Sequence, residues 1–419
     1  MRYFSLVILI TLAFIPLPLT FIGIDEKITR LIIDVIIFLL FVFGEKSIIT
    51  IKFILPLLLF SFISFFLSEV EPLLFLVFLR RLILPLMLFT YILNTKFKQS
   101  EINKFFNLIF HFSIFQIIVV VIKFLTVGVV EEYSGTFSLE NGSISTIFPL
   151  MVISYLISKF LILKQIRYLF YIITFSLISF VGNKLAVYIY LVLLFIILIV
   201  FFQKKVKRFR YRQLISLSAL ICFIFYIALS YNPRLKSSDD IDGIDWDYAI
   251  EFVTNYEARS FESDDGLNRS GRLSSIELVL DFMQSKTLIE YLFGNGPGDI
   301  VKSSLVAGQT NKLQLKYELG YGSRLAVWWI FLQLGLIGIF VFLRLQWQIY
   351  KLIIAKIDQV KNYHDLIFGI FVFGLFIIFQ FDIFSYSSTL IVNNSMTTLY
   401  YICLGFILTG NRYRWQIRK

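Results

Sequence analysis

The chain has 419 residues, 58% of them hydrophobic and only 16% charged, with a mean hydropathy of +0.81. A soluble domain carries roughly 25% charged residues, so this composition excludes a water-soluble enzyme and predicts an integral membrane protein. The formal charge of +11 raises nucleic-acid binding, but the placement of the basic residues argues against it. Cys222 and Cys403 lie in apolar runs and His111 and His364 are far apart, which suggests neither a disulfide framework nor a zinc site.

A helix that crosses a bilayer needs about 20 apolar residues. Twelve segments qualify: 4–22, 28–44, 48–67, 73–93, 102–128, 143–163, 167–182, 184–202, 213–230, 323–343, 365–384 and 389–409. The predicted fold is an all-α integral membrane protein of about 12 transmembrane helices. The first segment has the look of a signal peptide, with Arg2 ahead of "FSLVILITLAF". It has no convincing small-residue cleavage site and eleven spans follow, so it reads as a retained helix.

Lys and Arg set the orientation. With both termini in the cytoplasm, the inner loops and tails hold 21 basic residues, and the short outer loops hold only Lys27 and Lys184. The run "KKVKRFRYR", 204–212, is then a topology anchor against anionic headgroups. The chain divides into helices one to nine over 1–230, a large extracytoplasmic loop over 231–322, and helices ten to twelve with a cytoplasmic tail over 323–419.

Ionisable residues inside spans mark functional candidates, because each costs about 2.5–3.5 kcal/mol on insertion scales. Arg80 and Arg81 sit near the middle of the fourth span, Asp34 in the second, Lys123 near the end of the fifth and Asp382 near the end of the eleventh. Either these charges pair with one another to fix helix packing, or an arginine faces a cavity and holds an anion in its planar fork. Lys184 begins a helix on the outer side, against the positive-inside bias.

The outer loop carries 15 acidic and 9 basic residues. Its first half is acidic; the "DDIDGIDWD" run, 239–247, lacks the downstream Glu of an EF-hand and reads as solvated loop. "SSIE", 274–277, predicts a capping box. Ile276, Val279, Leu280 and Met283 then recur at helical spacing, as in an amphipathic helix across the outer mouth of the bundle. Gly294 is placed to end that helical region. The corner "GNGPG", with Gly294, Asn295, Gly296, Pro297 and Gly298, has two readings. It is a plain turn, or a backbone approach to a phosphate or sugar.

Four stretches together resemble the Wzy-type O-antigen and capsular repeat-unit polymerases and the related O-antigen ligases. They are "YSGTFSLENGSISTIF" (133–148), "VGNKLAVY" (181–188), "SGRLSSIELVLDFMQSKTLIEYLFGNGPG" (270–298) and "ELGYGSRLAVWWIFLQLGLIGIFVFL" (318–343). The resemblance lies in their order along most of the chain; each motif is weak alone. Tyr133 stands where the family often has a basic residue, and no histidine precedes the re-entry helix, which favours polymerase over ligase.

The resemblance implies a membrane glycosyltransferase. It would move a growing glycan from undecaprenyl pyrophosphate to the hydroxyl of an incoming lipid-linked unit, with inversion. It implies Arg272 as the loop arginine, Lys184 in place of the short-turn arginine, and Glu318 as the carboxylate nearest the missing histidine. Arg80, Arg81, Arg324, Asn141, Gly294, Asn295, Gly296 and Gly298 would contact substrate. The implied partners are the lipid-linked glycan, membrane lipid and a chain-length regulator protein. No metal, cofactor or nucleic acid is expected. The alternatives are an O-antigen ligase and a lipid-linked oligosaccharide flippase.

Overall fold

In the computed structural model the described residues are 2–45, 48–127, 135–137, 143–182, 184–205, 211–230, 247–248, 250–251, 254, 260–262, 268–301, 316–319, 323–360 and 363–409. Ten helices come first: α1 (Arg2–Phe14), α2 (Pro16–Phe21), α3 (Glu26–Phe43), α4 (Ile48–Phe66), α5 (Pro72–Asn94), α6 (Gln99–Val127), α7 (Ile144–Leu163), α8 (Arg167–Val181), α9 (Leu185–Lys205) and α10 (Tyr211–Ser230). A short antiparallel hairpin follows, β1 (Ser260–Glu262) with β2 (Asn268–Ser270), in which Phe261 faces Arg269. Then come α11 (Arg272–Gln284), α12 (Leu288–Phe293), α13 (Ala326–Asp358), α14 (Tyr363–Ser385), α15 (Thr389–Val392) and α16 (Asn394–Thr409).

The expectation of about 12 transmembrane helices is overturned. Among the described residues six helices are long and apolar enough to cross a membrane: Pro72–Asn94, Gln99–Thr126, Ile144–Leu163, Ala186–Gln203, Ala326–Asp358 and Asp365–Ser385. Four of the other six apolar segments fall short for identifiable reasons. Residues 4–22 are split at Ile15, where Pro16 opens a second, short helix. The α3 helix carries Glu26, Lys27, Arg30 and Asp34. The α8 helix has only 15 residues. The last segment breaks at Asn393, leaving a 4-residue and a 16-residue helix.

These six spans make the chain a multi-pass membrane protein. The core is built on α7, α14 and α16, which are buried nearly all round. The α3 and α6 helices turn large apolar side chains outward, among them Leu31, Val35, Phe38, Phe115, Ile118, Ile122 and Leu125. An apolar surface of this extent suits lipid rather than water.

The helix expected over 323–343 runs on to Asp358 and is interrupted at Gly335, whose φ of 64° and ψ of −166° are non-helical. An interruption strands carbonyls that a bilayer cannot solvate. The glycine corner meets them: Asn295 N–H donates to the Leu332 carbonyl at 2.9 Å and Gly296 N–H to the Gln333 carbonyl at 3.2 Å. Gly298 N–H donates to the Gln333 side-chain oxygen at 2.7 Å. Ser64 of α4 donates its hydroxyl to the Phe293 carbonyl at 2.7 Å. A Cβ on Gly298 would lie 2.6 Å from the Leu74 carbonyl carbon, and one on Gly335 would lie 2.5 Å from Gly294 N. Glycine is required because three backbones meet without side chains between them.

Candidate functional site

The outer-loop helix begins three residues earlier than its sequence signal. Gly271 is the N-cap, with no side-chain cap, and the hairpin strand Asn268–Ser270 delivers the chain to it. The capping box expected at Ser274 and Glu277 is not formed; the Ser274 and Ser275 hydroxyls donate back to the Gly271 and Arg272 carbonyls. A capping box forms instead at Thr287 and Glu290 on α12. Backbone and side-chain hydrogen bonds from Thr287, with Lys286 nearby, hold the Glu290 carboxyl below its usual range. Gly294 ends α12 with φ 82°.

Arg272 opens α11 and turns toward the end of α14. Its Nε donates to the Tyr386 carbonyl at 3.1 Å, and its guanidinium lies 5.3 Å from the Tyr386 ring centre. The buried Tyr386 hydroxyl pairs with Thr146 in the first turn of α7 at 2.5 Å. Tyr190, on α9, donates to the Ser385 carbonyl at 2.7 Å and stands edge-on to Tyr386 at 5.8 Å.

Two residues beyond Tyr386 the backbone turns left-handed at Ser388, and the Ser388 hydroxyl donates to the Arg324 carbonyl at 3.3 Å. Asp382 is fully buried and accepts from the N–H groups of Thr389 and Leu390 at 3.0 and 2.6 Å, fixing the turn. Gly182 packs on Ser145, so Lys184, two residues on, stands near the same end of the bundle. The Arg272 guanidinium, the Arg324 backbone and the turn that carries Lys184 thus lie near the C-terminal end of α14, through Tyr386, Ser388 and Thr146.

The charges of the fourth predicted span pair off. Arg81 donates to Glu318 at 2.6 Å, with the glutamate almost wholly buried and the guanidinium 5.9 Å from the Trp329 ring centre. This bridge ties α5 to the segment that precedes α13. Arg81 also borders a small cleft with Leu390, Thr397 and Tyr401. Arg80 pairs with Asp34 on α3, and Asn394 donates to the same aspartate at 2.9 Å. Lys123 donates to the Gly135 carbonyl at 2.6 Å.

The residues expected to contact substrate therefore fall in three places. Arg272, Lys184 and Arg324 share one neighbourhood. Arg80 and Arg81 form ion pairs with Asp34 and Glu318, next to α15 and α16. The N–H groups of Asn295, Gly296 and Gly298 are bonded to α13, and that of Gly294 to the Glu290 carbonyl. Asn141, the "DDIDGIDWD" run up to Asp245 and the side chains of "KKVKRFRYR" lie outside the described residues. Among the described residues no three His, Cys, Asp or Glu side chains cluster as metal ligands.

Sequence reasoning missed Tyr386, Ser388, Thr146, Gln333 and Asn394. The signal for most of them is visible: "SYSS" (385–388) and "NNS" (393–395) are polar interruptions in an otherwise apolar 365–409. No family model and no curated protein matches this chain.

Proposed function

We propose that this protein polymerises undecaprenyl-pyrophosphate-linked oligosaccharide repeat units into surface polysaccharide. The reaction takes place on the outer face of a bacterial cytoplasmic membrane, with both chain termini inside. The observation that carries the reading is that the Arg272 guanidinium and the backbones of Arg324 and Lys184 lie near one end of α14, the end that the Lys/Arg asymmetry assigns to the outside.

In this reaction the acceptor hydroxyl attacks the anomeric carbon of the donor. The bond to the pyrophosphate oxygen breaks, the lipid pyrophosphate leaves with the electron pair, and the anomeric configuration inverts. The negative charge that develops on the leaving oxygen needs preorganised cations, the role of Arg272 first, then Lys184 and Arg324. Glu318 is the carboxylate nearest the re-entry helix α13 and accepts the proton of the hydroxyl. The Arg81 bridge holds it in position.

A transporter is the second reading, favoured by the interrupted helix at Gly335, since transporters use broken helices. Against it, the stranded carbonyls there are capped by Asn295 and Gly296. The test is Arg272→Ala in a producing cell, with membrane level confirmed and surface glycan length measured. Collapse to single displayed units is expected. Deletion of the whole protein that leaves long polymer on the surface would remove the polymerase reading. Units trapped inside would indicate a flippase, and polymer left on its carrier a ligase.

A further inference from the structure

The short helix α12 turns two large apolar side chains outward. Leu288 and Ile289, in its first turn, are 73% and 59% exposed. Its polar groups lie elsewhere on its circumference. Lys286 and Glu290 are ion-paired at 3.3 Å, and Leu288 stands roughly opposite Glu290 at about 100° per residue. The exposed face of α11 is different. There Leu273 and Leu280 are interspersed with Glu277, Asp281 and Gln284, a mixture that suits water.

The far end of α12 fixes its place. Phe293 stacks on Phe60 of α4 with ring centres 5.7 Å apart, and its carbonyl accepts from the Ser64 hydroxyl. The α4 helix keeps Phe62, Ile63 and Phe66 outward up to its end at Phe66, and Glu69 and Glu71 follow, so that end marks the edge of the hydrocarbon. Ser64 lies about 3 Å short of that edge along the helix, and Leu288 lies about 7.5 Å of rise from Phe293. If α12 lies flat, Leu288 sits about 3 Å inside the edge; if it points straight out, about 5 Å beyond it. The polar zone of a bilayer is about 5–7 Å deep on each side, so Leu288 stays within reach of lipid at either extreme. The start of the helix is closed for such a place. The Thr287 N–H donates to the Glu290 carboxylate at 2.9 Å, and the Glu290 N–H to the Thr287 hydroxyl at 3.3 Å, so these two groups need no water.

We propose that α12 is an in-plane anchor whose Leu288 and Ile289 enter the adjacent leaflet of the bilayer. Lipid is the occupant because this face continues the lipid-facing surface of α4. The loop that carries Arg272 is then held at two points, at Tyr386 and in the leaflet. The inference does not depend on the proposed reaction.

The test uses the full-length protein in lipid vesicles, with the exposed Cys222 replaced by Ser. Spin labels on Leu288→Cys, Ile289→Cys and Glu277→Cys are read by power saturation with oxygen, which concentrates in hydrocarbon, and with a water-soluble nickel chelate. Oxygen is expected to dominate at the two α12 positions and nickel on α11, so the logarithm of their ratio changes sign between the helices. Leu288 and Ile289 report independently, and either one decides the matter if the other variant does not fold. Nickel dominating on α12 as it does on α11 would overturn the proposal. Labels on α12 shielded from both reagents would show that protein, such as a second copy of the chain, covers this face, and would overturn it equally.

Discussion

Replacing Gly294 with alanine tests whether the glycine corner holds the interrupted helix together. Gly294 has φ 82° and ψ 176°, a region that is essentially glycine-only and costs other residues about 1–3 kcal/mol. The added Cβ would lie 2.5 Å from the Leu334 nitrogen and closer still to the Gln333 carbonyl. Both are backbone atoms, so no side chain can swing aside. The corner must lift, breaking the Asn295 and Gly296 bonds to the Leu332 and Gln333 carbonyls. A buried carbonyl left unpaired costs about 1–3 kcal/mol. The Gln333 carbonyl keeps the Ser64 hydroxyl at 3.3 Å, so strain and one unpaired carbonyl sum to about 2–6 kcal/mol, a large part of the roughly 5–15 kcal/mol that holds a folded protein together.

Gly23 supplies the control. Its φ is 86°, and an added Cβ would meet nothing within 4 Å, so Gly23→Ala carries the backbone term alone. Denaturant unfolding of both variants in the same detergent separates strain from clash. If Gly294→Ala proves no more destabilising than Gly23→Ala, the corner is not seated on α13 and the reasoning fails.

Arg81→Ala should destabilise the protein by about 3–5 kcal/mol, because it strands the buried Glu318 carboxylate. Arg81→Met with Glu318→Leu should recover much of that loss, and a double-mutant cycle read by thermal unfolding measures it. The Glu290 carboxyl is held below its usual range in the folded state. Its stabilisation is therefore present above the unfolded carboxylate pKa and is lost as pH falls through the lowered folded value. Wild type should melt above Glu290→Gln at neutral pH, and the gap should close on acidification; a constant gap would contradict the capping box. Arg272→Lys should shorten surface polymer less than Arg272→Ala, since it keeps the charge but not the fork; gel profiles of the glycan report this.

The amino-acid sequence by itself determined that the chain enters a membrane and where its helices run. Those properties are local. Apolar composition and runs of about 20 residues need no partner to be read, and α5, α7 and α14 lie within a few residues of their sequence signals. Helix quality was harder to read. Pro16, the Asn393 break and the charges of α3 shorten or polarise segments that average hydropathy passes as spans.

Long-range pairing was not legible. Arg81 and Glu318 are 237 residues apart, and Arg272 and Tyr386 are 114 apart. Nothing in either local stretch names the other. The glycine corner carries the same lesson. Its sequence announces backbone approaching something closely, and both a turn and a phosphate fit that signal. Only the tertiary structure decided that the approach is to the broken turn of α13. The reason is physical: a carbonyl stranded inside a bilayer must find a donor, and the nearest chain able to come that close is the one without side chains.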